Sequence, residues 1–229
     1  MFWIFPETVK AHVALSKSFT DMLPVIFKPL PREFYTRTDV VQIAKELLGK
    51  VLYTNVNRDL TAGVIVETEA YAGVIDKASH AYNNRRTART EIMFRNGGYA
   101  YVYLCYGMHS LFNIVTSVDS DPHAVLIRGI EPLHGIESMK NRSGELTLTD
   151  KNGIGPGNIS KLLGIQVAHT GEDLCPGLIE ECKIWVQDEG IRVPTEEIKA
   201  GPRIGVDYAA EDALLHYRFQ WLKSKKAPY

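Results

Sequence analysis

The chain is short of the features that would assign its 229 residues to a special class. Its three cysteines, Cys105, Cys175 and Cys182, form an odd set with no CxxC pair. That argues against a disulfide framework and a cysteine zinc site and favours buried free thiols in a reducing compartment. It has no excess charge: 26 Lys and Arg against 27 Asp and Glu give a formal net charge of −1. A generally basic coat for nucleic acid is thereby excluded, and any phosphate contact must come from a local patch. Long hydrophobic runs are missing too. Pro6, Glu7, Lys10, Lys17, Asp21 and Lys28 cut the apolar N-terminus into short pieces, so no signal-peptide core or membrane span is expected. The expected location is therefore cytoplasmic. No internal repeat, low-complexity tract or linker interrupts the chain, and there is neither a Walker A loop nor a GxSxG elbow.

What is present, 45% hydrophobic and 23% charged residues, suits one compact globular domain with a sizeable core. Residues 1–34 are expected to form an N-terminal extension, frayed or packed as a short amphipathic helix, and residues 35–229 the domain. Thr36 to Asp39 precede an apolar stripe of Val40, Val41, Ile43, Ala44, Leu47 and Leu48 with Gly49 beyond, which predicts a capped helix. Val51 to Val56 and Ala62 to Glu69 flank Asn57-Arg58-Asp59 and predict an antiparallel hairpin. Residues 72–98 predict a long irregular connection, and long loops in compact domains are usually functional or disordered. Tyr99 to Cys105 and Leu111 to Ser117 predict a second hairpin with Tyr106-Gly107 near its tip, followed by a strand over Ala124 to Ile130. Short helices are predicted at 135–140 and 159–163, and strands at 183–187, 202–206 and 216–220. The expected fold is α+β: a single domain with a mixed, mostly antiparallel sheet, surrounding helices and a protruding β-hairpin.

The chemistry concentrates at Glu67 to Tyr71, ETEAY, where strand alternation puts Glu67, Glu69 and Tyr71 on one face. A buried lone carboxylate is costly, so these glutamates either sit at a solvated edge or pair with an arginine such as Arg85, Arg86 or Arg128. Spacing alone does not separate Glu67 from Glu69. Tyr99, Tyr101 and Tyr103 alternate with Ala100, Val102 and Leu104, so one strand face is a row of phenols. Such a row ordinarily packs a core, yet with Tyr71 and His80 it could sandwich a nucleobase. Four arginines against one glutamate between residues 85 and 95 form either a solvated loop or a phosphate contact. Gly153 to Lys161, GIGPGNISK, resembles a glycine turn opening a helix. His109, His123 and His134 lack metal-ligand spacing. Neither a metal nor another cofactor is expected.

These motifs together resemble the alkyladenine (3-methyladenine, methylpurine) DNA glycosylase family. VIVETEAY, His80, Thr87 to Thr90, Met93-Phe94, YAYVYLCYGMH, Asn113, VLIRGIEP and the GPG turn before Lys161 follow the family's order across about residues 32 to 221. The resemblance implies that Glu69 is the general base that activates water and that Arg128 helps to hold the water. It implies that Tyr71, His80, Tyr103 and Asn113 form the pocket for a flipped base, and that Tyr106 enters the gap left in the duplex. Thr87, Arg89, Gly107, Met108 and His109 fall where the family contacts the DNA backbone. The implied partner is double-stranded DNA with damaged purines, bound by a monomer in the cytoplasm, at the nucleoid if the source is bacterial. Thr90 stands where the family often has Asn, and the Gly157 to Lys161 spacing is longer than usual. A rival from another class, a non-catalytic module binding RNA or damaged DNA, would need neither Glu69 nor Arg128.

Overall fold

The computed structural model describes residues 27–177 and 182–223. Residues 1–26, most of the expected extension, lie outside the described residues. Residues 27–30 run beside the sheet, where Leu30 N–H donates to Val186 O at 2.8 Å and Phe27 packs edge-on against Trp185.

A single helical turn, α1 (Arg32–Tyr35), precedes α2 (Val40–Glu46). The predicted helix is present, and its cap is Asp39, whose carboxylate accepts the Gln42 N–H at 2.9 Å. The first hairpin follows as β1 (Val51–Val56) and β2 (Asp59–Tyr71). The connection to β3 (Ala100–Cys105) contains only short 3-10 turns, at Gly73–Ile75, Tyr82–Asn84 and Glu91–Phe94. Then come β4 (His109–Thr116), β5 (His123–His134), α3 (Ile136–Ser143) and α4 (Pro156–Leu163). The chain closes with β6 (Ile184–Gln187), β7 (Ile198–Gly201) and β8 (Arg218–Trp221).

The strands form one sheet in the order β3-β4-β5-β2-β1-β6, with β8 joining both β2 and β7. The architecture is the expected α+β domain, and every pairing between the described strands is antiparallel. Thirteen-residue β2 is the spine: one edge pairs with β5, the other with β1 in its first half and with β8 at Glu67 to Glu69. The main core lies between the sheet and helices α2 and α4, where Tyr35, Ile43, Leu47, Phe112, Ile127 and Leu163 are fully buried. Alternation along β3 divides its side chains. Ala100 and Val102 enter that core, whereas Tyr101, with Tyr99 and Tyr103 beside it, packs with Met93 and Phe94 of the irregular connection.

One predicted strand is absent. Residues 202–206 form a loop, and the strand lies just before it at Ile198–Gly201. Pro202 has no N–H to give a ladder, and the Ile204 N–H is taken by a side-chain carboxylate instead.

Candidate active site

The site is built on the end of β2. Its pairing with β5 slips on both sides of Glu67, which faces Gly129, so the strand bulges there. A Cβ on Gly129 would come within 2.8 Å of the Glu67 Cβ, so glycine alone lets the strands close at that point. Both glutamates are buried, at 3% and 0% exposure, and both reach Arg128 of β5. Its Nε lies 3.4 Å from Glu67 Oε1 and 3.3 Å from Glu69 Oε1. Of the three arginines that sequence offered as partners, this is the one that pairs.

Beyond Arg128 the two carboxylates differ. Glu67 Oε1 also accepts from Arg218 Nη1 at 3.1 Å, which leaves it between two guanidinium groups. Glu69 Oε1 accepts the Ile204 N–H and its Oε2 the Tyr71 hydroxyl, each at 2.8 Å. Burial raises the Glu69 pKa above the ordinary carboxylate range, against the opposing pull of Arg128, the Ile204 amide and Tyr71. A carboxylate raised in this way is a stronger base than an ordinary one.

Above Glu69 opens a cavity of about 280 Å³. Tyr71, His80, Tyr101, Tyr103, Asn113 and Arg128 line it, and Tyr106 reaches its rim. Glu69 itself is fully buried and touches two of the lining residues, Tyr71 and Arg128. His80 Nδ1 shares a 2.7 Å hydrogen bond with the Tyr101 hydroxyl, and its ring meets Tyr103 edge-on with centroids 4.6 Å apart. Burial, then the positive charges of Arg89 and Arg85, push the His80 pKa down to about 4, so the imidazole is neutral at physiological pH. Asn113 is pinned by its amide Nδ2, which donates to Tyr101 O and Leu111 O at 3.2 Å each. Burial also lifts the Tyr101 hydroxyl to about 12, so it stays protonated as a hydrogen-bonding group.

The second hairpin projects beside the cavity. Tyr106 and Gly107 both have positive φ, as a type I′ turn requires, and Met108 N–H closes the turn on Cys105 O at 3.1 Å. Tyr106 is held 90% exposed at the tip, with Met108 at 74%. His109, the first residue of β4 beside the hairpin tip, lies against Gly157 in the first turn of α4. Lys161, further along that helix, donates to Ser143 O at 3.0 Å.

The arginine-rich segment resolves into two roles. Arg86 pairs with Glu91 at 2.7 Å and covers the Phe94 ring, while Arg95 covers Tyr99. Arg85 and Arg89 are exposed and close enough to act on His80. Thr90 is buried and ties the segment together, donating to Arg85 O at 2.9 Å and accepting Thr87 N–H at 2.8 Å.

Sequence reasoning missed the loop after β7. It supplies the Ile204 amide to Glu69, and Ile204, Val206 and Tyr208 to the cavity wall. It also supplies Arg203, buried against Asp76, with Nη2 at 2.8 Å from Asp76 Oδ1 and Nη1 on Oδ2. Pro202 and Gly205 bracket this segment and were the available signal that it turns rather than extends. Among the described residues no group of three or more His, Cys, Asp or Glu is placed to hold a metal ion. No helix among them is long and apolar enough to cross a membrane.

Comparison with known proteins identifies the family. A family model described as methylpurine-DNA glycosylase (MPG) matches residues 33–225. A Clostridium novyi protein provisionally named 3-methyladenine DNA glycosylase is 43% identical over 206 residues, covering 87% of this chain and 97% of its own. A protein of the same name from Chlamydia felis is 42% identical over 205 residues, covering 86% and 99%. Another from Bdellovibrio bacteriovorus is 40% identical over 190 residues, covering 83% and 93%. A carboxylate buried under a tyrosine-lined cavity, an exposed ring at a hairpin tip and a match over nearly the whole described fold converge: the chain belongs to the methylpurine-DNA glycosylase family.

Proposed function

We propose that the protein is a monofunctional DNA glycosylase that flips 3-methyladenine, 7-methylguanine or hypoxanthine out of duplex DNA and hydrolyses the N-glycosidic bond in base excision repair. The observation that carries this reading is Glu69, buried beneath the cavity with a raised pKa and held by Arg128, the Ile204 amide and Tyr71. An intact duplex hides the glycosidic carbon, so the nucleotide must rotate out and the gap must be filled. Tyr106 at the cavity rim is the filling side chain, and Gly107, Met108 and His109 beside it, with Thr87 and Arg89, contact the backbone. Tyr71, His80 and Tyr103 hold the extruded base, and Asn113 reads its edge.

An N-alkylated purine carries positive charge, which tyrosine faces attract and which makes it a good leaving group. Arg128 orients a water admitted with the nucleotide. The water oxygen bonds to C1′, its proton passes to Glu69, and the bond from C1′ to the purine nitrogen breaks with its electrons leaving on the base. The Glu69 charge also favours the oxocarbenium-like sugar. The residues lining the cavity include no lysine, which supports simple hydrolysis without strand cleavage. On this reading the enzyme acts as a monomer in the cytoplasm, at the nucleoid if the source is bacterial.

The test is base release from duplexes with a single lesion, in EDTA. The expected result is release by the natural protein and its loss in Glu69→Gln, which keeps damaged-duplex binding. Glu67→Gln retains release. Tight duplex binding without release of any modified purine, or a dead Glu67→Gln beside an active Glu69→Gln, would overturn the assignment.

A further inference from the structure

Directly behind Tyr71 lies an ion pair that the reaction scheme does not use. Asp76 and Arg203 are 2% and 5% exposed, and the Arg203 guanidinium stands 4.8 Å from the centroid of the Tyr71 ring. The carboxylate is saturated: it accepts Ala72 N–H at 3.0 Å and Ala78 N–H at 2.9 Å besides both Arg203 Nη groups. Arg203 Nη1 reaches on to Ala70 O at 2.9 Å, while its Nε is buried with no hydrogen-bond partner. A buried ion pair is a poor device for stability alone, since apolar replacements of similar volume often serve as well or better. Its position is what distinguishes this one. The cation covers one face of a ring that also lines the cavity, so the ring meets a ligand with its other face or its edge.

We propose that Asp76 and Arg203 form a charge-neutral backing for Tyr71 that determines how strongly the cavity prefers cationic over neutral purines. This rests on the reading above that a flipped purine packs against Tyr71. Arg203 fixes the ring, and through the adjoining Ile204 amide it fixes the loop that touches Glu69. Asp76 cancels the cation's field at the ring's far side. Without that cancellation, an alkylated purine at roughly 3.5 Å from the ring would feel a like charge at roughly 8 Å. At an effective dielectric of about 20 this disfavours the cationic ligand by about tenfold to thirtyfold, and a neutral purine hardly at all.

The readout is the ratio of kcat/KM for duplex 7-methylguanine, which is cationic, to that for duplex hypoxanthine, which is neutral. The same ratio of duplex affinities is measured in a Glu69→Gln background. Asp76→Asn is expected to lower the ratio about tenfold, Arg203→Met to raise it, and the double variant Asp76→Asn/Arg203→Met to bring it back near the natural value. A pair that merely held the loop in place would change rates for both purines together and leave the ratio still. If Asp76→Asn does not fold, Arg203→Met and the double variant still decide the matter. Ratios equal within about twofold in all folded variants, or single variants that shift the ratio in the same direction, would overturn the proposal while leaving the glycosylase reading intact. A natural protein that releases neither base would sink that reading and this inference with it.

Discussion

Replacing Tyr71 by Phe removes one oxygen and tests the electrostatics of the site. The lost hydroxyl donates to Glu69 Oε2 at 2.8 Å and is one of the forces that hold the carboxylate in its charged form against burial. A hydrogen bond to a charged group is worth about 1.5 to 3 kcal/mol, and about 1.4 kcal/mol corresponds to one pH unit. The sign follows from the acid's direction. In the proposed mechanism Glu69 works ionised, so activity is lost as pH falls through its pKa, and removing a donor that stabilises the anion raises that pKa further. The acid limb of the natural protein is therefore expected above the ordinary carboxylate range, and that of Tyr71→Phe higher still. The ring remains, so stacking and the Arg203 contact are kept. The assay is single-turnover base release from a hypoxanthine duplex across pH 4 to 9, with duplex binding measured in parallel. An unmoved acid limb, or one displaced to lower pH, would refute the place given to the Tyr71 to Glu69 bond.

Two further predictions address other levels of the structure. Tyr106→Ser changes a side chain that is 90% exposed, so unfolding stability should move by no more than about 0.5 kcal/mol, while excision from duplex falls and excision from single-stranded DNA persists. Undiminished duplex excision would remove the gap-filling role. Phe112→Ala truncates a fully buried ring of β4 in the main core and should cost about 3 to 5 kcal/mol, read from urea unfolding. A loss below about 1 kcal/mol would contradict the core described above.

Legibility followed sequence distance. The capped helix α2, the β1–β2 hairpin and the β3–β4 hairpin are specified by neighbours a few residues apart, through a cap, an alternation and a turn. All three were readable. The alternation of Tyr101 and Tyr103 with Ala100 and Val102 correctly separated aliphatic core from aromatic face, though Leu104 at the strand's end is 51% exposed because the hairpin has by then left the body of the protein. The segment after β7 was misread as a strand. Its Ile and Val residues look like a ladder, but they line the cavity, and the Ile204 amide is spent on Glu69.

By itself, the sequence determined that a carboxylate-bearing strand, a row of tyrosines and a glycine-turned hairpin tip exist, because period-two alternation and turn chemistry are local properties of the backbone. Strand spacing could not decide which glutamate is which, and the choice of Glu69 came from the resemblance alone. Glu67 and Glu69 share a strand face and even an arginine; besides the nearby Tyr71 hydroxyl on Glu69, what separates them is Arg218 on Glu67 and Ile204 on Glu69, which lie 151 and 135 residues further along the chain. The same holds for Asp76 and Arg203, 127 residues apart and joined only when the loop after β7 folds back over the end of β2. Environment, and with it the pKa of a buried acid, is set by what burial brings together from far away, and that belongs to the tertiary structure alone.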